Sequence, residues 1–142
     1  MEKISVYDSG GKQFAYRTKL DNGYFALISF SDDENTGVYD VCFGVAKNKL
    51  ALDAYVLGGE CAKTLDDTST GQCGVQGLAW ARTRILDFII DALPVGGGVS
   101  VYWANSKRRR AYTHALTKIG FRECSRDGHP VLFYRKIKSC ED

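Results

Sequence analysis

Proline and histidine are each represented by only two residues in this chain of 142, and methionine by one. With so little proline and with 44% hydrophobic residues, the sequence is neither a proline-rich linker nor a disordered low-complexity polymer. No apolar run approaches the roughly 20 residues that cross a bilayer, and Met1-Glu2-Lys3-Ile4-Ser5-Val6 lacks the basic-then-apolar pattern of a signal peptide. The expectation is a soluble, cytoplasmic protein that does not engage membranes. Neither sign of charge dominates: 19 Lys and Arg face 17 Asp and Glu, a formal net charge of +2, too little for a protein organised around a nucleic-acid backbone. The cysteines Cys42, Cys61, Cys73, Cys124 and Cys140 are odd in number and form no Cys-x-x-Cys pair. They read as buried or incidental thiols of a reducing compartment. With His114 and His129 as the sole histidines, no metal site is expected.

What is present has the length and apolar content of one globular domain spanning 1–142. Its first part, 1–57, reads as a β-meander. A strand over Gln13–Leu20, a turn at Asp21-Asn22-Gly23, an apolar strand over Tyr24–Phe30 and an alternating strand over Val38–Ala46 succeed one another. The acidic turn Asp32-Asp33-Glu34 separates the last two, and Leu50–Leu57 fits a strand or a short helix equally. After Gly58-Gly59 and the polar stretch Lys63–Gly74, Val75, Leu78, Arg82, Ile85 and Ile89 recur at helical spacing, ended by Pro94 and Gly96-Gly97-Gly98. A short strand over Val99–Ala104 follows. A second helix runs from Asn105 or Ser106 to Ile119, with Gly120 as its stop. Its inner face is Tyr112, Ala115, Leu116 and Ile119, with Arg108 on the same side. Strands Phe121–Ser125 and Pro130–Ile137, joined by Arg126-Asp127-Gly128, complete an α+β fold. Its sheet is expected to be mixed and mostly antiparallel, with a central strand-helix-strand unit.

Chemistry concentrates where the first helix begins. Gly71, Gly74 and Gly77 permit close approach of the backbone, and the first turn of a helix presents unpaired N–H groups suited to phosphate. The spacing is neither a P-loop nor a Gly-x-Gly-x-x-Gly dinucleotide loop. The segment resembles the GNAT superfamily of acyl-CoA-dependent N-acyltransferases, whose hallmark is Gln/Arg-x-x-Gly-x-Gly/Ala at this point of the chain. In Gln72-Cys73-Gly74-Val75-Gln76-Gly77 the glycines stand two and five residues after Gln72, where the family has three and five. A second similarity is the block Val101-Tyr102-Trp103-Ala104-Asn105, a helix, then Gly120-Phe121. It resembles the family's strand, asparagine, helix and Tyr-x-x-x-Gly-Phe, with Leu116 at the tyrosine place and Tyr112 one turn earlier. The layout is also similar to that of small phage-encoded proteins, for which the compartment would be the host cytoplasm.

The resemblance implies a GNAT-like fold with 70–137 as the acyl-CoA-binding half, acetyl-CoA as cosubstrate and a primary amine as acceptor. Gly71, Gln72, Cys73, Gly74, Val75 and Gly77 would hold the pyrophosphate, Asn105 the pantetheine arm and Arg108 or Arg109 the 3′-phosphate. A strand amide within Cys61–Asp66 would polarise the thioester carbonyl. Tyr112 would protonate the departing thiolate. The alternative is a GNAT-shaped protein without catalysis that binds a host or structural protein through the basic helix Lys107–Lys118, with nucleic acid a less favoured ligand of that helix. Asp32-Asp33-Glu34 reads as a solvated loop, or as an attractor of the amine. Trp80 and Trp103 read as core residues.

Overall fold

The computed structural model describes residues 2–4, 12–32, 35–50, 74–102, 106–126 and 128–137, with the backbone alone at 2–4, 12, 74, 75 and 106–108. Among these residues seven strands form one sheet: β1 (Glu2–Ile4), β2 (Lys12–Lys19), β3 (Phe25–Asp32), β4 (Val38–Ala46), β5 (Gly98–Val101), β6 (Arg122–Arg126) and β7 (His129–Arg135). Two helices, α1 (Gly74–Asp91) and α2 (Ser106–Thr117), precede β5 and β6. The strand order is β1-β2-β3-β4-β5-β7-β6. Every neighbouring pair is antiparallel except β4 and β5, which run parallel. The α+β class and the strand-helix-strand unit are thus as expected. β1 was not anticipated, because three residues are too few to show a period. Lys49 and Leu50 are helical, and the remainder of Leu50–Leu57 lies outside the described residues.

Tight turns join the meander. Leu20 N–H donates to Tyr24 O at 2.7 Å across a turn in which Gly23 takes φ +87°, a conformation that glycine adopts without steric penalty. Between β3 and β4 the turn is organised by Asp32. Its Oδ1 accepts from Thr36 N–H at 2.9 Å and its Oδ2 from Gly37 N–H at 2.8 Å. Asp32 is 3% exposed, so it is neither a solvated residue nor an attractor of amines. Its carboxylate replaces the backbone bonds that Thr36 and Gly37 lack.

Both helices pack on one face of the sheet. Phe88 of α1 stacks on Phe30 of β3, with centroids 4.2 Å apart and planes 6° from parallel, and meets Tyr39 and Phe14 edge-on. Ile85, Ile89 and Leu93 from the α1 side and Tyr112, Leu116 and Phe121 from the α2 side close the same core over Ile28, Val41, Val99, Val101 and Leu132. Trp80 packs against it with Phe43, in keeping with the core assignment, while Trp103 lies outside the described residues. Arg82, expected on the apolar stripe, is half-buried and spans the helices by donating from Nε to Ala115 O at 3.1 Å. On the other face Ala15, Leu27, Ser29, Ser100 and Val131 are also buried. The reading of all five cysteines as buried or incidental thiols needs correction. Cys42 on β4 is disulfide-bonded, whereas Cys124, on the edge strand β6, is an exposed free thiol as that reading allows.

Lys136 secures the far end of α1. It is 6% exposed, and its Nζ donates to Ile89 O at 2.7 Å and Leu93 O at 2.8 Å. The last turn of α1 carries no basic residue of its own, so this ammonium, supplied by the segment after β7, meets the negative end of the helix. Gly96 N–H donates to Lys136 O and Lys136 N–H to Gly97 O, which fixes the lysine backbone beside the helix end. Lys136→Met, which keeps the aliphatic stem, is expected to lower the unfolding free energy by about 2 kcal/mol, the scale of hydrogen bonds to a charged donor. Urea denaturation measures it. Stability unchanged to within ~0.5 kcal/mol would show that water satisfies those carbonyls equally well.

Candidate functional site

The parallel pairing is short. It runs from Val38 opposite Gly98 to Val41 opposite Val101. Beyond that, β4 continues to Ala46 with partners on β3 alone. In an extended strand, alternate residues turn N–H and C=O toward each side, and among the described residues the ladder between β4 and β5 ends at Val41 opposite Val101. A helical crossover between parallel strands starts at their carboxyl ends, and a crevice there is the general ligand position of such units.

α1 begins at that opening. Gly77, in its first turn, lies against β4: a Cβ there would sit 3.2 Å from Val45 Cγ2 and 3.6 Å from Phe43 Cζ. A side chain at 77 would push the helix start away from the strand. Gln76 also ties this turn down, its Oε1 accepting from Asp21 N–H at 3.1 Å. The first N–H groups of α1 lack intrahelical acceptors and carry the positive end of the helix dipole, with no acidic side chain in the turn to neutralise it. The helix starts at Gly74. β5 ends at Val101 rather than Ala104.

The sequence-derived site residues divide as follows. Gly74 and Val75 open α1, and Gly77 is buried on its sheet side. Gly71, Gln72, Cys73, Asn105 and the whole of Cys61–Asp66 lie outside the described residues. Arg108 stands in the first turn of α2. Tyr112 is 7% exposed and belongs to the core beneath both helices, with Leu116 one turn further on, also buried. The structure thus brings the start of α1 against Phe43 and Val45 of β4.

Of the basic cluster, Arg109 is engaged by Glu123 of β6, its Nε 3.0 Å from Oε1 and its terminal nitrogen 3.1 Å from Oε2. This fork clamps α2 to the neighbouring strand. Arg110, His114 and Lys118 are exposed, in keeping with a solvated helix face. Across the sheet, Arg126 donates to Asp40 Oδ1 at 3.0 Å over a sequence separation of 86. Sequence reading missed this pair, since nothing local marks either residue. Tyr39 has its phenol raised above the ordinary value by burial and, less, by the Asp32 carboxylate. Its folded state favours the neutral phenol, a contribution present below the unfolded value and lost as pH rises through the folded one. Among the described residues no group of His, Cys, Asp and Glu is placed to hold a metal, and no helix is long and apolar enough to cross a membrane.

Comparison with protein-family models, with curated proteins and with solved structures returns no match.

The Arg109 hydrogen bond holds the Glu123 carboxyl below its ordinary value. Its contribution is present above the unfolded carboxyl value and lost as pH falls through the folded one. Arg109→Ala is expected to bring Glu123 back toward the ordinary carboxylate range in a carboxyl-carbon NMR titration. An unmoved titration would assign the shift to another neighbour.

Proposed function

We propose that the chain is an acyl-CoA-dependent N-acyltransferase of GNAT topology, moving the acetyl group of acetyl-CoA to a primary amine. The observation that carries this reading is the end of the β4–β5 pairing at Val41 and Val101, with the start of α1 seated against Phe43 and Val45 further along β4. The strand order, with its single parallel pair at that position, supports the resemblance in the second half of the sequence.

The chemistry follows from what such an opening offers. The amide-bearing pantetheine arm is extended and lies beside β4 past the end of its pairing with β5. The pyrophosphate sits at the N–H groups that begin α1, in the segment of Gly71, Gln72, Cys73, Gly74 and Val75. Asn105 orients the arm and Arg108 meets the 3′-phosphate. The acyl carbon lies where the two strands part. The neutral amine attacks it, a C–N bond forms, the C–S bond breaks, and an N–H group of the strand edge stabilises the oxyanion between these events. The ammonium loses one proton before attack. The second leaves the nitrogen as the amide forms, while Tyr112 donates a proton to the thiolate and is reprotonated from solvent.

A calorimetric titration with acetyl-CoA tests the reading. Dissociation constants of about 1–100 μM, the working range of cosubstrates, are expected, and binding at millimolar or weaker overturns it. Tyr112→Phe is expected to slow thiol release about 10²–10⁴-fold with coenzyme affinity unchanged. Full turnover with a lowered melting temperature would make Tyr112 a packing residue alone. Leu116, buried where the family carries its acid, favours a second reading, a GNAT-shaped protein that binds a partner through α2 without catalysis. Coenzyme binding without turnover in the unmodified protein is the signature of that alternative.

A further inference from the structure

Asp40 and Arg126 form an ion pair whose position gives it significance. Asp40 alternates along β4 with Tyr39 and Val41, which belong to the core under the helices, so its side chain occupies the opposite face. Level with it across the sheet are Ser100 on β5, Phe133 on β7 and Arg122 on β6. Arg126 stands four residues further along β6, in the direction in which β4 runs on past β5. In a flat sheet the two Cα atoms would be nearly ~20 Å apart, from three strand spacings and four residue rises, beyond the reach of the two side chains. They nevertheless meet at 3.0 Å, so twist and coiling make this face concave. The line between them crosses the end of β5, at the inner end of the opening between β4 and β5.

Two further observations bear on what this place receives. The pair is accessible, its side chains 30% and 43% exposed, and an exposed ion pair is easily exchanged. Ser100, level with Asp40 on the same face, is 0% exposed, and its hydroxyl has no hydrogen-bond partner among the described residues. A buried hydroxyl in that condition is costly unless a group arrives to satisfy it.

We infer that Asp40, Arg126 and Ser100 form the acceptor subsite, and that the acceptor is a small amine carrying its own carboxylate, an amino acid in chemical class. The inference rests on the acyltransferase reading for the identity of the reaction but on the geometry of these three residues for the ligand. When such a zwitterion enters, its ammonium replaces Arg126 on Asp40 and its carboxylate takes the freed guanidinium, so one ion pair becomes two. Ser100, level with Asp40 on the same face, offers its unpartnered hydroxyl to the ammonium. The amine nitrogen is thereby placed one residue from Val41, where the strands part and the acyl carbon lies. A simple alkylamine would displace Arg126 and leave it without an anion, and is disfavoured for that reason.

The test titrates the unmodified protein with glycine, β-alanine and γ-aminobutyrate, and with butylamine and butyrate as singly charged controls, following the Arg126 Nε–H signal by NMR. At least one zwitterion is expected to bind about 10-fold or more tighter than either control, and Arg126→Met to abolish that preference. Equal binding of zwitterions and controls, no perturbation at Arg126, or a preference that survives Arg126→Met overturns the subsite. The same panel assayed for acetyl transfer keeps the two proposals apart. Transfer to butylamine as efficient as to the zwitterions removes the subsite and leaves the acyltransferase standing. Failure to bind acetyl-CoA removes the acyltransferase, while the NMR titration still decides whether zwitterions bind.

Discussion

The short parallel contact between β4 and β5 is the constraint on which the rest of the structure depends. Four residues on each strand are paired, and the two strands are connected through α1, which must begin at the carboxyl end of one and return to the amino end of the other. The helix start lies against Phe43 and Val45 of β4, and Gly77 lets it lie there without a side chain between. At its other end the helix is held by Lys136, delivered by the last strand. Both termini of α1 are thus defined by tertiary contacts, and the opening between the strands follows from them.

The two faces of the sheet differ in chemistry. Under the helices the contacts are aromatic and aliphatic, centred on Phe30, Tyr39 and Phe88, and burial of such groups is the main favourable term in folding. On the other face polar residues recur at the centre: Ser29, Asp40, Cys42 and Ser100 follow one another across neighbouring strands.

Charge is informative here only after its partners are known. Asp32 and Lys136 are buried and spent on backbone groups. Arg109 and Glu123 fasten a helix to an edge strand, and Asp40 and Arg126 bridge strands separated by two others. The composition treats all of these as equivalent charges, with a net of +2. The roles differ because desolvation and neighbouring dipoles act on each separately.

Much of this fold was legible in the sequence because periodicity and turn chemistry are local. Alternation along Val38–Ala46 marks a strand with one face inward, recurrence from Leu78 to Ile89 marks the first helix, and Gly120 and Gly128 mark where backbone direction changes. The start of the first helix was legible for the same reason. By contrast, β1 is held only by its pairing with β2, and the assignments of Asp32, Cys42 and Lys136 required knowing what each one faces. The meeting of Asp40 with Arg126, across 86 residues, has no local signature at all. Sequence alone determined where most of the strands and both helices lie, since alternation, helical spacing and turn residues are local signals. Tertiary structure decided which charged groups are consumed by the fold and which stand at the opening, because burial and ion pairing depend on residues brought together only when the sheet closes.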